Sequence, residues 1–297
     1  MTDIYHIVYN PYANRGGASL YLKAFCNLLD AQDRAYQVYE TTGTGHATEI
    51  TRGIIAGEVG TKYIVIMGGD GTVHEVVNGY REGDDVVFGI VPAGTGNDVA
   101  SMLKVPDKPE NVEAAAANIL KKNVRAVDLI VADNGMQSVL FFSYGIAAAM
   151  ILEMQKYRRK NKLSYYRALI KNVFRFKAKE YDVTPDGGET RRYKVDFCAV
   201  HNCIHAGGGM SLINCAVMDD GLLELFIVEN RGIFRRILNF IAILRKNIHK
   251  QPNAQIIKVK SVTINPVDNN LCCVDGENHY IDRLELAVRH KGIKVFG

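Results

Sequence analysis

Short runs of strand-forming residues alternate with stretches of helical spacing through the first 131 residues. The runs occupy positions 4–9, 36–40, 63–67, 86–91 and 125–131. Between them apolar residues recur three or four positions apart, as Leu22, Phe25 and Leu29 do, which is typical of an amphipathic helix. Strands that alternate with helices in this way predict an α/β fold with a doubly wound, mostly parallel sheet.

The pattern changes after residue 131, where strand-like runs follow one another and several are separated by turn residues. These runs occupy positions 139–144, 193–201, 222–229, 256–264 and 271–275. Strands in succession with helices inserted favour a separate antiparallel domain. We therefore predict two domains, a doubly wound α/β domain at residues 1–131 and an antiparallel, β-sandwich-like domain at residues 132–284.

Composition and charge narrow the class of protein. The chain of 297 residues is 47% hydrophobic and 23% charged, with a formal net charge of +4 that is too small to indicate nucleic-acid binding. None of the six cysteines forms a C-x-x-C pair, so we expect reduced thiols and a cytoplasmic protein. We find neither a signal-peptide pattern nor an apolar run long enough to span a bilayer.

A glycine-rich turn follows the strand at positions 63–67. Gly68, Gly69 and Gly71 surround Asp70, and Thr72 begins a segment of helical spacing. A strand, a glycine turn and a helix start present backbone N–H groups to an anion, so this stretch predicts a phosphate site. An ordinary βα turn is the alternative. Asp70 repels phosphate unless a metal or a hydrogen-bond network offsets its charge.

A second turn of similar kind follows the strand at positions 86–91. It reads Pro92-Ala93-Gly94-Thr95-Gly96-Asn97-Asp98. The Thr95 hydroxyl is a candidate phosphate donor, and its alternative role is to stabilise the turn. Polar turns at the carboxyl ends of parallel strands are where doubly wound sheets bind ligands.

These two motifs carry a resemblance to a known family. The run 68–72, followed by Glu75, Asn78 and Gly79, resembles the nucleotide-binding signature of the diacylglycerol kinase catalytic family. NAD kinases share the GGDG core, but the run 92–98 resembles the second signature of the lipid kinases and not an NAD kinase pattern. The resemblance implies an ATP-dependent, Mg²⁺-requiring lipid kinase whose last strand, 285–297, returns to the first domain.

The same resemblance implies a set of nucleotide contacts. They come from an Asn-Pro loop after the first strand, from a threonine after the second, and from the two glycine turns. The implied ATP-binding residues are Asn10, Pro11, Tyr12, Ala13, Asn14, Thr41, Gly68, Gly69, Asp70, Gly71, Thr72, Val73, His74, Asn78 and Thr95.

Catalytic groups are implied in both domains. The pattern Asp275-Gly276-Glu277 by itself favours an acidic β-turn. The lipid kinases, however, carry an acidic D-G-E there that faces the nucleotide across a cleft. The resemblance therefore implies Asp275 as general base with Glu277 in support, while Asp70 and Asn78 organise the loop and the metal-bound water.

The turn Asp219-Asp220-Gly221 is the predicted cation site. Carboxylates and backbone carbonyls suit Mg²⁺, which prefers oxygen ligands. Several bacterial members of the resembled family hold a structural magnesium at this turn, and the matching ligands are Asp220 and the Leu222 carbonyl, with Asp219 beside them. The upstream stretch 215–218 has no carboxylate, which weakens the match.

Two basic segments, residues 153–179 and 231–250, interleave Lys and Arg with aromatic or aliphatic residues. A solvated helix face is one interpretation. Peripheral contact with an anionic membrane is the other, because cations attract anionic headgroups and aromatic rings settle at the interface. No nucleic-acid recognition motif is present.

The combined prediction is an ATP-dependent kinase that phosphorylates a lipid hydroxyl, with diacylglycerol or a related lipid as substrate, at the inner face of the membrane. Two alternatives stay open at this point. One is an NAD kinase-like enzyme, and the other is a nucleotide- and membrane-binding protein without catalysis. A homo-oligomer is compatible with the sequence.

Overall fold

The structure is a computed structural model that describes residues 3–57, 60–94, 96–105, 111–154, 156, 162–206, 210–268 and 270–297. The backbone divides into two compact units. The first comprises residues 1–127 and 291–297, and the second comprises residues 128–290.

Helices and strands alternate up to residue 132. The strands are β1 (Ile4–Tyr9), β2 (Ala35–Glu40), β3 (Lys62–Gly68), β4 (Val86–Pro92) and β5 (Val124–Ala132). The helices are α1 (Ala18–Asp30), α2 (His46–Gly57), α3 (Asp70–Gly79), α4 (Asp98–Met102) and α5 (Val112–Leu120), with a short 3-10 helix at Ala13–Gly16.

Strands dominate the rest of the described chain. They are β6 (Gln137–Ser138), β7 (Phe141–Gly145), β8 (Lys179–Pro185), β9 (Arg191–His201), β10 (His205–Ala206), β11 (Met210–Ser211), β12 (Leu223–Glu229), β13 (Ala254–Val259), β14 (Ser261–Pro266), β15 (Leu271–Val274), β16 (Glu277–Tyr280) and β17 (Leu284–Phe296). The helices are α6 (Ile146–Met154), α7 (Lys162–Arg175) and α8 (Gly232–Leu244), with a 3-10 helix at Ile248–Lys250.

The first unit is a parallel sheet in the order β2-β1-β3-β4, and the end of β17 pairs with β4. Val65 and Met67 of β3 pack in one core cluster with residues of α1 and α5. Ile64 and Ile66, which alternate with them, are buried on the opposite face of the sheet. Helices α2 and α3 contact one another. The predicted doubly wound, mostly parallel sheet is confirmed.

The second unit is antiparallel. Its main strand order is β16-β15-β7-β9-β8-β14-β17, and β12 pairs with both β9 and β13. Side chains from eight of these strands, together with two from β5, share one buried cluster, which includes Tyr144, Tyr181, Leu225 and Ile264. The predicted antiparallel, β-sandwich-like domain with inserted helices is confirmed.

One predicted strand of the second unit is in fact two. The run 256–264 breaks at Lys260 between β13 and β14. The backbone amides of Lys260 and Ser261 both donate to Asp186 Oδ1, at 2.8 and 2.9 Å. A carboxylate that takes two consecutive amides competes with the sheet ladder, and the apolar pattern of the run does not reveal such a partner.

His201 makes the stability of the second unit sensitive to acid. Its side chain is buried against the rings of Phe141, Phe197 and Phe226, and this burial lowers its pKa to about 3. The unfolded chain binds a proton on this histidine near its ordinary pKa of about 6.5, whereas the folded chain does not. Folding is therefore opposed increasingly as the pH falls below about 6.5.

Replacement of His201 by Phe tests this. We expect the free energy of unfolding of wild type to drop by about 2 kcal/mol between pH 7 and pH 5 through this group, and the drop to shrink in His201→Phe. Urea unfolding at both pH values measures the difference. Parallel pH profiles for the two proteins would show that His201 does not titrate on unfolding.

Among the described residues, no helix is long and apolar enough to cross a bilayer.

Candidate functional site

Three loops of the first unit meet because their strands are parallel neighbours. Tyr9 of β1 lies opposite Met67 of β3, and Gly68 at the end of β3 lies opposite Pro92 of β4. Bonds beyond the strands hold the loops together: the Asn10 amide donates to the Met67 carbonyl at 3.0 Å, and the Ala93 amide donates to the Gly68 carbonyl at 2.8 Å. The sequence-predicted loops therefore share one edge of the sheet.

The two glycine turns are in backbone contact. A Cβ built on Gly94 would overlap the Cα of Gly69, and a Cβ on Gly69 would lie 3.1 Å from the Cα of Gly94. A Cβ on Gly68 would overlap the Thr72 side chain. Glycine is required at position 94 because its main chain approaches that of Gly69 where no side chain fits.

Asn10 and Thr72 connect the first loop to the start of α3. Asn10 Nδ2 donates to Thr72 Oγ1 at 3.1 Å, and Asn10 Oδ1 accepts the Tyr12 amide at 3.0 Å. Thr72 is buried in the first turn of α3, where backbone N–H groups point along the helix axis towards the glycine turn. Asn10 thereby fixes the orientation of the hydroxyl that the resemblance assigns to phosphate.

Asp70 connects the two glycine turns. It is the first residue of α3, and its Oδ1 accepts the backbone amide of Val99, in the first turn of α4, at 3.0 Å. The Gly96 position lies against the same carboxylate, since a Cβ there would be 2.9 Å from Asp70 Oδ2. The start of α4 thus supplies part of the hydrogen-bond network that is needed to offset the negative charge of Asp70.

Asn97 is a site residue that the sequence analysis missed. Its backbone is left-handed, with φ of 57°, and its side chain is buried. Asn97 Oδ1 accepts the Gly94 amide at 2.9 Å, and Asn97 Nδ2 donates to the Gly94 carbonyl at 3.1 Å. The signal was present, because asparagine is the non-glycine residue best suited to a left-handed turn closed by its own side chain.

The remaining implied nucleotide residues lie around this edge with other partners. The Thr41 amide donates to the Tyr9 carbonyl at 2.9 Å, and Asn78 Nδ2 donates to the His74 carbonyl at 2.8 Å. Gly71 and Val73 lie in the first turn of α3. Pro11 and Tyr12 form the turn after β1, and Ala13 and Asn14 begin the 3-10 helix that follows it. Thr95 lies outside the described residues, so its predicted phosphate contact stays a prediction.

Asp275 in the second unit occupies a two-residue hairpin between β15 and β16. Asp275 and Gly276 have φ values of 48° and 97°, which is the positive-φ pair of a type I′ turn. Val274 and Glu277 are the facing residues at the strand ends. The acidic β-turn predicted from the pattern at 275–277 is therefore present. Its geometry sets the position of the Asp275 side chain.

The Asp275 carboxylate is buried and strongly hydrogen bonded. Its Oδ1 accepts the Ser138 hydroxyl at 2.5 Å and the amides of Leu140 and Phe141 at 3.1 Å each, and its Oδ2 accepts the Val139 amide at 3.3 Å. These donors fix the carboxylate to the loop between β6 and β7. A group held this rigidly is suited to a defined role in catalysis, and it is also a structural link.

A lysine from strand β13 lies against the predicted magnesium turn, residues 219–222. Lys258 Nζ lies 2.7 Å from Asp220 Oδ2, and Asp220 Oδ1 accepts the Leu222 amide at 3.1 Å. Asp219 is exposed. A divalent ion on Asp220 would have to displace this ammonium, so the residues present do not fit the ion predicted from Asp219, Asp220 and Leu222.

Asp128 positions the same turn from β5 and was not singled out in the sequence. It is fully buried, and its Oδ2 accepts the Gly221 amide at 2.7 Å while its Oδ1 lies 2.8 Å from His290 Nδ1. Its backbone amide donates to the Met218 carbonyl at 2.6 Å. An aspartate inside an apolar strand is visible in the sequence. The sequence does not show that its partner, Gly221, lies more than ninety residues further along the chain.

Comparisons with known proteins agree with this architecture. The family model described as the diacylglycerol kinase catalytic domain matches residues 5–132, and the model described as the YegS C-terminal NAD kinase beta sandwich-like domain matches residues 141–296. The chain belongs to the family that joins these two domains.

Two relatives of this family member cover most of its length. A protein of Mycobacterium tuberculosis named diacylglycerol kinase is 28% identical over 74% of this chain and 72% of its own. A solved structure titled a diacylglycerol kinase from Bacillus anthracis has a TM-score of 0.79 at 25% identity and covers 99% of this chain and 96% of its own.

A more distant solved structure bears on the NAD kinase alternative. Yeast NADH kinase has a TM-score of 0.54 at 12% identity over 99% of this chain and 83% of its own. Identity this low shows a shared fold alone. The lipid kinase family is therefore the classification that the sequence motifs and the comparisons have in common.

Proposed function

We propose that this chain is an ATP-dependent lipid kinase that phosphorylates the free hydroxyl of diacylglycerol or a closely related lipid. The observation that carries the proposal is the contact between the two glycine turns at Gly69 and Gly94, beside the start of α3. Such a turn at a helix N-terminus suits phosphate, and the second turn follows the lipid kinase pattern. Membership of the family supports the same reaction class.

The proposed mechanism divides the work between binding and proton transfer. Backbone amides at the start of α3 and the Thr72 hydroxyl hold the phosphates of ATP, and Asp70 keeps the two glycine turns in register through Val99. Mg²⁺ that accompanies the nucleotide would neutralise charge on the phosphates. Asp275, with Glu277 beside it in sequence, accepts the proton of the attacking lipid hydroxyl.

Contact with the membrane is a second part of the proposal, and α8 supports it. The side of α8 that faces the protein carries Arg236, Asn239 and Ala242, and Arg236 is fixed by a buried ion pair with Asp196 at 2.7 Å. The opposite side exposes apolar residues. They are Ile233, Phe234, Ile241 and Leu244. Phe240 and Ile243 of α8 also pack against buried clusters, so the helix has apolar residues on both sides. A helix that leaves a further apolar side exposed is typical of an interfacial helix.

Further exposed groups extend this surface on α7. Ile170 and Phe174 are one helical turn apart and both exposed. Exposed cations accompany the two helices: Arg167, Arg175, Arg231, Arg245, Lys246 and Lys250. Apolar side chains with cations around them match an anionic bilayer, in which the chains enter the interface and the cations meet headgroups.

Phe234→Ser tests the membrane contact. Removal of a large apolar side chain from the interface is expected to weaken binding to anionic vesicles about tenfold or more. Leu20→Ser on α1 is the matched control, because Leu20 is 73% exposed and Phe234 is 74% exposed. Sedimentation with phosphatidylcholine vesicles, with and without phosphatidylglycerol, measures it. Binding that ignores anionic lipid and salt, or that both substitutions weaken equally, would refute the proposed surface.

The acceptor is tested by ADP release from ATP with the purified full chain. The panel contains diacylglycerol, phosphatidylglycerol, a long-chain base, a polyprenol and NAD. We expect release that depends on a lipid acceptor and is greatly reduced in a folded Asp70→Asn variant. Release that depends on NAD would favour the NAD kinase-like alternative, and ATP binding without release under any acceptor would favour the non-catalytic one.

A further inference from the structure

The second unit contains a buried carboxylate next to the predicted magnesium turn. Glu224 on β12 is fully buried, and within the part of the chain that the structure describes neither of its carboxylate oxygens has a hydrogen-bond partner. A buried acid without hydrogen bonds is costly unless a positive charge lies near it.

Lys258 supplies that charge to two acids at once. It lies directly opposite Glu224 in the ladder between β12 and β13, and its Nζ is 3.8 Å from Glu224 Oε1. The same Nζ is 2.7 Å from Asp220 Oδ2. Two carboxylates beside one amine favour its charged form, so Lys258 is the cation between them.

The neighbouring residues favour an ammonium over a divalent ion. Mg²⁺ prefers a near-octahedral set of oxygen ligands, whereas an ammonium is satisfied by two or three acceptors. Asp220 is already bonded to Lys258 through one oxygen and to the Leu222 amide through the other. The stretch 215–218 adds no carboxylate, and Asp219 is exposed.

We propose that the Lys258 ammonium is the resident cation of the 219–222 turn and takes the place that the family resemblance gives to magnesium. A cation on a side chain cannot diffuse away from the protein, and its ion pair with Asp220 joins the turn to strand β13. The 219–222 turn, which Asp128 holds from β5 through the Gly221 amide, then keeps its conformation at any concentration of divalent ion. This inference does not depend on kinase activity.

Thermal unfolding of the full chain without nucleotide tests the inference. Lys258→Met keeps the length of the side chain and removes the charge. Lys260→Met is the matched control, because Lys260 is an exposed lysine two residues along the same segment. Each protein is measured with EDTA and with millimolar MgCl₂.

The expected results separate a tethered cation from a bound ion. Wild type and Lys260→Met should show the same Tm in EDTA and in MgCl₂. Lys258→Met should unfold about 2–5 °C lower in EDTA, and MgCl₂ should recover part of the loss by binding Asp220 and Glu224 in place of the ammonium. The inference is overturned if Lys258→Met is as stable as Lys260→Met, if MgCl₂ does not raise its Tm, or if wild type gains stability from MgCl₂ and Asp220→Asn abolishes the gain.

Discussion

Asp275→Asn is expected to lower kcat for lipid phosphorylation by about 10²–10⁴-fold with little change in fold, since this is the usual contribution of a positioned general base. The substitution is well matched to the site. Asn-Gly is a favoured pair for a type I′ turn, so the hairpin at Asp275 and Gly276 can persist. An asparagine oxygen in place of Oδ1 can still accept the Leu140 and Phe141 amides, although the Val139 amide loses its acceptor. The asparagine side chain cannot take the proton of the lipid hydroxyl.

The second unit itself offers the control. Asp186 and Gly187 form another Asp-Gly pair with positive φ values, 47° and 66°, and the Asp186 carboxylate also accepts two backbone amides. Asp186→Asn should therefore leave kcat within about twofold of wild type, since it repeats the same chemical change in a turn without an assigned catalytic role. Steady-state kinetics with ATP and diacylglycerol vesicles, together with thermal unfolding, compare the two. Undiminished turnover in Asp275→Asn would remove Asp275 from the mechanism.

Gly94→Ala is expected to have the second large effect, on ATP binding. The new Cβ would overlap the Cα of Gly69 and lie 2.9 Å from Asn97 Oδ1, so it would separate the two glycine turns and break the bonds that close the second one. Since backbone atoms cannot move away as a flexible side chain can, we expect the KM for ATP to rise at least tenfold and stability to fall by about 1–3 kcal/mol.

Gly53→Ala is the companion to this change. Gly53 lies in α2, and nothing is within 4 Å of a Cβ at that position. Alanine should stabilise the helix by about 0.5–1 kcal/mol and leave the KM for ATP unchanged. Nucleotide titration and urea unfolding of both variants measure the pair of effects. An unchanged KM in Gly94→Ala would show that the contact between the turns is not needed for nucleotide binding.

The strands of the first unit were predictable because burial leaves a strong pattern. Strand β1 occupies residues 4–9 as predicted, and the glycine turns at Gly69 and Gly94 follow their strands where the motifs placed them. Parallel strands that alternate with helices must place these turns at one edge, so the meeting of the loops follows from topology. The backbone contact between Gly69 and Gly94 depends on distances of a few tenths of an ångström, which only the structure gives.

Residues whose role depends on a distant partner were not predictable in the same way. In the sequence, Lys258 has the pattern of an exposed strand residue, and Asp128 interrupts an apolar run. Their roles depend on contacts with the 219–222 turn, which lies far from both in the sequence. Asn97 differs, because its partner Gly94 is three residues away and its left-handed preference is a local property. A residue that bonds a near neighbour in the chain can thus be found from the sequence, whereas an ion pair between distant strands cannot.

Phosphate transfer to a lipid is tested most directly by following the label of γ-labelled ATP. Wild type is incubated with diacylglycerol in anionic vesicles, and the organic phase is separated by thin-layer chromatography. If the protein is a lipid kinase, the label appears in the phosphorylated lipid. Little ATP is then consumed when diacylglycerol is left out. Label that stays in inorganic phosphate, or that enters NAD offered in the same mixture and no lipid, would contradict it.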